Sequence, residues 1–237
     1  MTPHQPSSTQ RYDRRVITTP IDPPPHPDFD AIAIDLCRLA DITEHPLQCT
    51  AALDDDEITE ADAFHQDLHR AWFIKRRWLR KCAIAECCDI NIESIRIEHN
   101  ELGRPLITAP SNAARLTLST SHSMGLAAVA LAPGLEFGID IEFLEPEYAT
   151  PAAARVFMHP DELDTWRTLR DTDRVAAFFD TWTRKEALLK AHGTGFKIDP
   201  PLVNVSATHV DLEGVTYHIQ SISELPDGWV GAVAVQT

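Results

Sequence analysis

Glycine is missing from the first hundred residues; all nine glycines of the 237-residue chain lie at position 103 or beyond. The chain also has no GxxxxGK[ST] loop, no GxGxxG fingerprint and no GxSxG elbow. These absences exclude the common phosphate-cradling loops and the α/β-hydrolase nucleophile. No apolar run approaches the ~18–20 residues that a membrane span needs. The opening stretch, MTPHQPSSTQRYDRR, lacks the apolar centre of a secretory signal, so the expected compartment is the cytoplasm. Five cysteines include no CxxC pair and read as reduced thiols, mostly core residues. Positive charge is scarce, with a formal net charge of −15, so neither nucleic acid nor an anionic membrane is an expected partner.

What is present points to one mixed α+β protein with two similar halves. Seven of the 17 prolines fall before residue 28, so residues 1–28 read as a flexible leader. Strands are expected at 31–36 (AIAIDL), 116–120, 126–132 and 137–144, with more between 202 and 235. One long helix is expected over 58–88, a short one over 160–170, and another over 174–192 that Gly193 ends. AIAIDL is echoed by FGIDIE at 137–142, and MGLAAVALA at 124–132 by GWVGAVAVQ at 228–236. The offsets are 105 residues from Asp35 to Asp140 and 103 from Gly125 to Gly228. The boundaries expected from this repeat are 29–133 and 134–237, two α/β halves related by a pseudo-twofold axis in a monomer.

Four features carry chemistry. In FGIDIEFL the side chains alternate, so Gly138, Asp140 and Glu142 share the strand face opposite Phe137, Ile139, Ile141 and Phe143. Two adjacent carboxylates need solvent or a cation, and their hard oxygens suit Mg²⁺ or Mn²⁺. In the helix at 174–192, Glu186 falls on the apolar stripe of Phe179 and Trp182, where an acid is costly unless paired or coordinated. Lys190 follows one turn later and Lys185 stands next to it. A cluster of six bases without an acid runs from Arg70 to Lys81, with Arg70, Arg77 and Lys81 along one helix face, fit to hold a phosphate. LSTSHS at 118–123 brings Ser121 and His122, hydroxyl and imidazole, to a strand end. Together these suggest carboxylates on a divalent cation beside phosphate-binding donors.

GIDIE at 138–142, WTRKEALLK at 182–190 and SHS at 121–123 resemble the signatures of the 4′-phosphopantetheinyl transferases, of the monomeric type that activates surfactin synthetase. HR at 69–70, GRP at 103–105 and RVFMHPDEL at 155–163 extend the match over about residues 66–235. The resemblance implies transfer of 4′-phosphopantetheine from coenzyme A to a serine of an apo acyl or peptidyl carrier protein, releasing adenosine 3′,5′-bisphosphate. It implies Mg²⁺ on Asp140, Glu142 and Glu186, with Glu186 also the base for the carrier serine and Lys190 facing the pyrophosphate. It places Arg70, Ser121 and His122 at coenzyme A phosphates, and Gly103, Arg104 and Pro105 around the adenine. Lys185 is typical of the family and is included among the coenzyme A contacts. Ser119 and Thr120 depart from the family's FNxSHS, and the N-terminal lysines of some relatives have no counterpart. Two other classes use the same residues: a Mg²⁺-dependent phosphodiesterase acting on a nucleotide or coenzyme A, and a non-catalytic homologue that binds coenzyme A or carrier. Finally, residues 146–160 combine Arg155 with Val156, Phe157 and Met158, and are expected to dock the carrier through apolar contacts.

Overall fold

The computed structural model describes residues 15–17, 31–42, 46–193 and 197–237. Among the described residues, ten strands and six α-helices fall into two successive strand–helix–strand series. The first sheet has the order β1 (Arg15–Ile17), β2 (Ala33–Arg38), β6 (Leu126–Pro133), β5 (Leu116–Ser123). The second has the order β7 (Phe137–Phe143), β10 (Trp229–Gln236), β9 (Val215–Ser221), β8 (His209–Leu212). A separate hairpin, β3 (Arg96–His99) and β4 (Pro105–Ala109), brackets the Asn100–Arg104 turn. The three strands β2-β6-β5 and the three strands β7-β10-β9 follow the same path, each with a long helix after its first strand. The turns also correspond. Leu39 N–H donates to Gly125 O and Leu144 N–H to Gly228 O, both at 2.8 Å, and both glycines take positive φ. Within the stretch read as a leader, Arg15–Ile17 forms β1 and pairs antiparallel with β2; the rest of that stretch lies outside the described residues. Among the described residues no helix is long and apolar enough to cross a membrane.

The helix expected over 58–88 is instead two helices, α2 (Asp55–Asp62) and α3 (Asp67–Cys88). Asp54 and Glu57 close a capping box that starts α2. The chain then turns back so that buried Glu57 meets Arg80 and lies 3.4 Å from Lys81 and 3.8 Å from Arg77. A continuous helix would hold Glu57 and Lys81 on the order of 35 Å apart. Three cations thus converge on one carboxylate, a contact that the apolar periodicity does not encode. α1 (Pro46–Ala51), α4 (Pro151–Phe157) and α5 (Pro160–Thr168) are short, and α6 (Asp171–His192) ends at Gly193, whose φ of 78° is left-handed, as a C-terminal glycine allows.

Packing is layered. Ile74, Trp78 and Ile84 of α3 cover one face of the first sheet against Leu118 and Val129. Ile34, Ala128 and Ala130 on its other face meet Ile139, Ile141 and Val233 of the second sheet. Ala187, Leu188 and Ala191 of α6 cover the outer face of the second sheet at Ala232 and Ala234. α6 rests on β7 at Gly138: a Cβ there would stand 2.3 Å from Ala187 O and 2.5 Å from Ala191 N. Those atoms are helix backbone and cannot yield. Gly138→Ala should therefore destabilise the protein by roughly 1–3 kcal/mol or more through overpacking, lowering Tm by about 5 °C or more. An unchanged melting temperature by differential scanning fluorimetry would contradict this contact.

Candidate active site

The two sheets approach each other along β5 and β7, and no backbone ladder joins these strands. Serines replace it. Ile139 N–H donates to Ser119 Oγ at 3.0 Å, Ile141 N–H to Ser121 Oγ at 3.2 Å, and Phe143 N–H to Ser123 Oγ at 3.0 Å. The constant offset of 20 residues means that the strands run in the same direction. Because a side chain stands between them, they are spread wider than paired strands, and a slot opens. Lys190 fills it from α6, donating to Asp140 Oδ1 at 2.7 Å, Ile139 O at 3.0 Å and Thr120 O at 3.3 Å. Its ammonium thus touches both sheets.

Three carboxylates gather around Lys190. Burial, chiefly, raises Glu186 to about 7, with Asp140 and Glu142 adding to the rise and Lys190 opposing it. Burial likewise raises Glu142 to about 7, offset in part by the Ser123 hydroxyl and reinforced by Asp140. Asp140 Oδ2 and Glu186 Oε1 are buried and accept no hydrogen bond. One lysine against three acids leaves an excess of negative charge inside the protein, and unsatisfied hard oxygens are the donor type a divalent cation selects. By donor chemistry the residues fit such an ion. As they stand, no three ligating side chains among the described residues converge on one point.

Two pockets of about 200 Å³ each adjoin the slot and share Thr120. Gly103, Arg104, Pro105 and Lys190 line one; Arg104 also pairs with Glu136 across the halves at 2.5 Å. Arg76, Arg77, Arg80 and His122 line the other. Arg76 Nη1 lies 2.7 Å from His122 Nε2, and burial followed by Arg76 and Lys190 pushes the imidazole down to about 4, so it is neutral at pH 7. Arg76 was not singled out from the sequence; its spacing from Trp72 and Phe73 gave no cue to a partner 46 residues away.

Several expected positions lie elsewhere. Arg70 is half-buried, pairs with Asp62 at 2.7 Å and is not among the residues that line the His122 pocket. Lys185 has 0% side-chain exposure; it pairs with Glu162 at 2.8 Å and donates to Pro200 O and Val203 O, so it braces the loop after α6 and does not face the pockets. Lys81 donates to Ala52 O at 2.6 Å, inside the Glu57 cluster. Ser121 spends its hydroxyl proton on Asp140 Oδ1 at 2.7 Å. In the segment expected to dock a carrier, Met158 is 2% exposed and Phe157 stacks on Trp182 with centroids 4.3 Å apart; both are core. Val156, at 75%, and Tyr148, at 60%, are the apolar side chains this segment exposes.

The raised carboxyls have a consequence for stability. A carboxyl whose folded pKa exceeds its unfolded one contributes stability below the unfolded value and loses it as pH rises through the folded value. For Glu186 that window runs from about 4.5 to about 7. Metal-free protein should thus lose stability between pH 5 and pH 8, and Glu186→Gln should remove part of that loss, up to about 3 kcal/mol. Denaturant melts at both pH values measure it; equal losses in the two proteins would mean that Glu186 is solvated.

Residues 136–231, which hold the GIDIE strand and α6, match the family model of the 4′-phosphopantetheinyl transferase superfamily. The chain is 31% identical over 156 residues to the 4′-phosphopantetheinyl transferase HetI of Nostoc sp. PCC 7120, a match covering 65% of this chain and 66% of that protein. It is 24% identical over 146 residues to the putative 4′-phosphopantetheinyl transferase slr0495 of Synechocystis sp. PCC 6803, covering 61% of this chain and 58% of the relative. It is 33% identical over 95 residues to the 4′-phosphopantetheinyl transferase AcpT of Salmonella typhimurium, covering 40% and 48%. The chain spans just under two thirds of the length of the first of these relatives and less of the others. The family-model match over residues 136–231 and these relatives support one family for this chain, the 4′-phosphopantetheinyl transferase superfamily.

Proposed function

We propose that the protein transfers 4′-phosphopantetheine from coenzyme A to a serine hydroxyl of an apo carrier protein, releasing adenosine 3′,5′-bisphosphate. It does so as a cytoplasmic monomer built from halves 29–133 and 134–237. The observation that carries this reading is the Lys190 ammonium, set between two sheets beside three carboxylates, with a pocket on either side. The pocket of Gly103, Arg104 and Pro105 takes the adenine. Arg76 and His122 hold a phosphate, in the place that the sequence assigned to Arg70 and His122. Lys190 bears on the pyrophosphate between them. Asp140, Glu142 and Glu186 would hold Mg²⁺ or Mn²⁺, which when bound offsets the charge of the pyrophosphate and its leaving oxygen.

In the transfer, the carrier serine oxygen bonds to the β-phosphorus as the bond to the departing bisphosphate breaks. Glu186, with a pKa near neutrality, suits acceptance of the serine proton. Lys190 is held by two backbone carbonyls and a carboxylate before substrate arrives, so little reorganisation remains for the reaction itself. The carrier docks at the exposed edge of residues 146–160, through Val156 and Tyr148 with Arg155 meeting carrier acids.

Intact-mass measurement with coenzyme A, Mg²⁺ and apo carriers tests the reading: a gain of ~340 Da, the mass of the prosthetic group, on a carrier is expected. Coenzyme A consumption without a carrier would instead indicate a phosphodiesterase. Asp140→Ala should lower transfer by roughly 10²-fold or more, and EDTA should abolish it reversibly. Arg76→Ala should raise the KM for coenzyme A about tenfold, the scale of one charge-assisted hydrogen bond, whereas Arg70→Ala leaves it unchanged. Val156→Glu should raise the KM for carrier and spare that for coenzyme A; an unchanged carrier KM would put docking elsewhere.

A further inference from the structure

We propose that Ser123 is a positioning residue: its hydroxyl fixes the carboxylate of Glu142 across the seam between the sheets, as Ser121 fixes Asp140. The inference rests on the metal-binding reading above and concerns residues that the sequence motif leaves without that task. Each hydroxyl is bound on both sides. Ser123 Oγ accepts the Phe143 N–H at 3.0 Å and donates to Glu142 Oε2 at 2.7 Å. Ser121 Oγ accepts the Ile141 N–H at 3.2 Å and donates to Asp140 Oδ1 at 2.7 Å. The accepted bond settles where the hydroxyl hydrogen points, because a hydroxyl has a single proton and the amide occupies a lone pair. That proton is left for the carboxylate. Ser119 is the informative contrast: it accepts the Ile139 N–H at 3.0 Å, and the residue before its partner, Gly138, has no side chain to orient.

The arrangement couples two demands. The seam needs a side-chain acceptor for each β7 amide, and the anionic site needs donors that hold its carboxylates in one rotamer. A serine meets both, while alanine meets neither. Glu142 has three side-chain torsions to fix, and among the described residues the hydrogen bond that reaches its carboxylate comes from Ser123, so its orientation depends on Ser123. Holding a ligand's orientation from behind is worth about 10–100-fold in metal affinity where it has been altered.

The test uses the full chain and Mn²⁺ as probe, without coenzyme A or carrier. Free Mn²⁺ is counted by electron paramagnetic resonance in a titration of wild type, Ser123→Ala, Ser123→Thr and Ser119→Ala. Ser123→Ala should weaken Mn²⁺ binding about tenfold, and Ser123→Thr, which keeps the hydroxyl, should recover most of it. Ser119→Ala loses a seam hydrogen bond too, so it should lower Tm comparably while leaving Mn²⁺ affinity within about twofold of wild type. A merely structural role for Ser123 predicts that the two alanine variants weaken binding alike. Equal affinity of wild type and a folded Ser123→Ala overturns the proposal and leaves the metal site standing. No Mn²⁺ binding by wild type overturns the metal-binding reading itself. If Ser123→Ala does not fold, Ser123→Thr against Ser123→Cys makes the same comparison, cysteine being a weak donor of similar size.

Discussion

Everything at the candidate site depends on α6 lying against β7 with nothing between them. Gly138 supplies that closeness, and helix backbone stands where any side chain at this position would go. The result is that Glu186 and Lys190, one turn apart on α6, come down onto Asp140 and Glu142, which share the face of Gly138. The strand alternation and the helical period meet at this one contact. A larger residue would lift the helix, and with it one of the three acids and the only lysine among them.

The protein handles buried charge in two different ways. Around Glu57, Arg77, Arg80 and Lys81 outnumber the acid, and carbonyl oxygens and neighbouring acids such as Glu60 absorb the excess. At Glu162 the pairing with Lys185 is one to one, and the remaining lone pairs take the amides of Val205 and His159. The Glu162 pair is closed, as a buried ion pair must be to avoid a desolvation penalty, whereas the Glu57 cluster leaves the Nε donors of Arg77 and Arg80 without a hydrogen bond. The slot is the opposite case: three acids, one lysine and two buried oxygens without donors. What distinguishes the slot is that its excess is negative and its unpaired atoms are hard oxygens, the donor type that a divalent cation selects.

Much of this was legible in the sequence. The alternation of FGIDIEFL gave the two faces of β7 correctly, and Glu186 on an apolar stripe pointed to the site because no packing reason could place it there. The strand–helix repeat was read from the echo of AIAIDL in FGIDIE and of MGLAAVALA in GWVGAVAVQ. What could not be read was tertiary pairing of charges. Arg70, Arg76, Arg77, Arg80 and Lys81 look equivalent along a helix, and only the turn between α2 and α3 decides which meet Glu57 and which meets His122. Lys185 and Lys190 are likewise one residue and one turn from Glu186, yet they point to opposite sides of α6, one into the brace with Glu162 and the other into the slot. Met158 reads as a surface anchor by sequence neighbours and is core, buried in one cluster with Trp166 and Phe179.

The repeated path has a consequence for stoichiometry. In units of order β2-β6-β5 and β7-β10-β9, β5 and β7 are edge strands and face each other across the serine seam. The strands that correspond to them, β9 and β2, each carry a further strand on that edge, β8 and β1. Two short edge strands therefore break the equivalence of the units, and among the described residues the repeated path offers one such open pair of edges, not two.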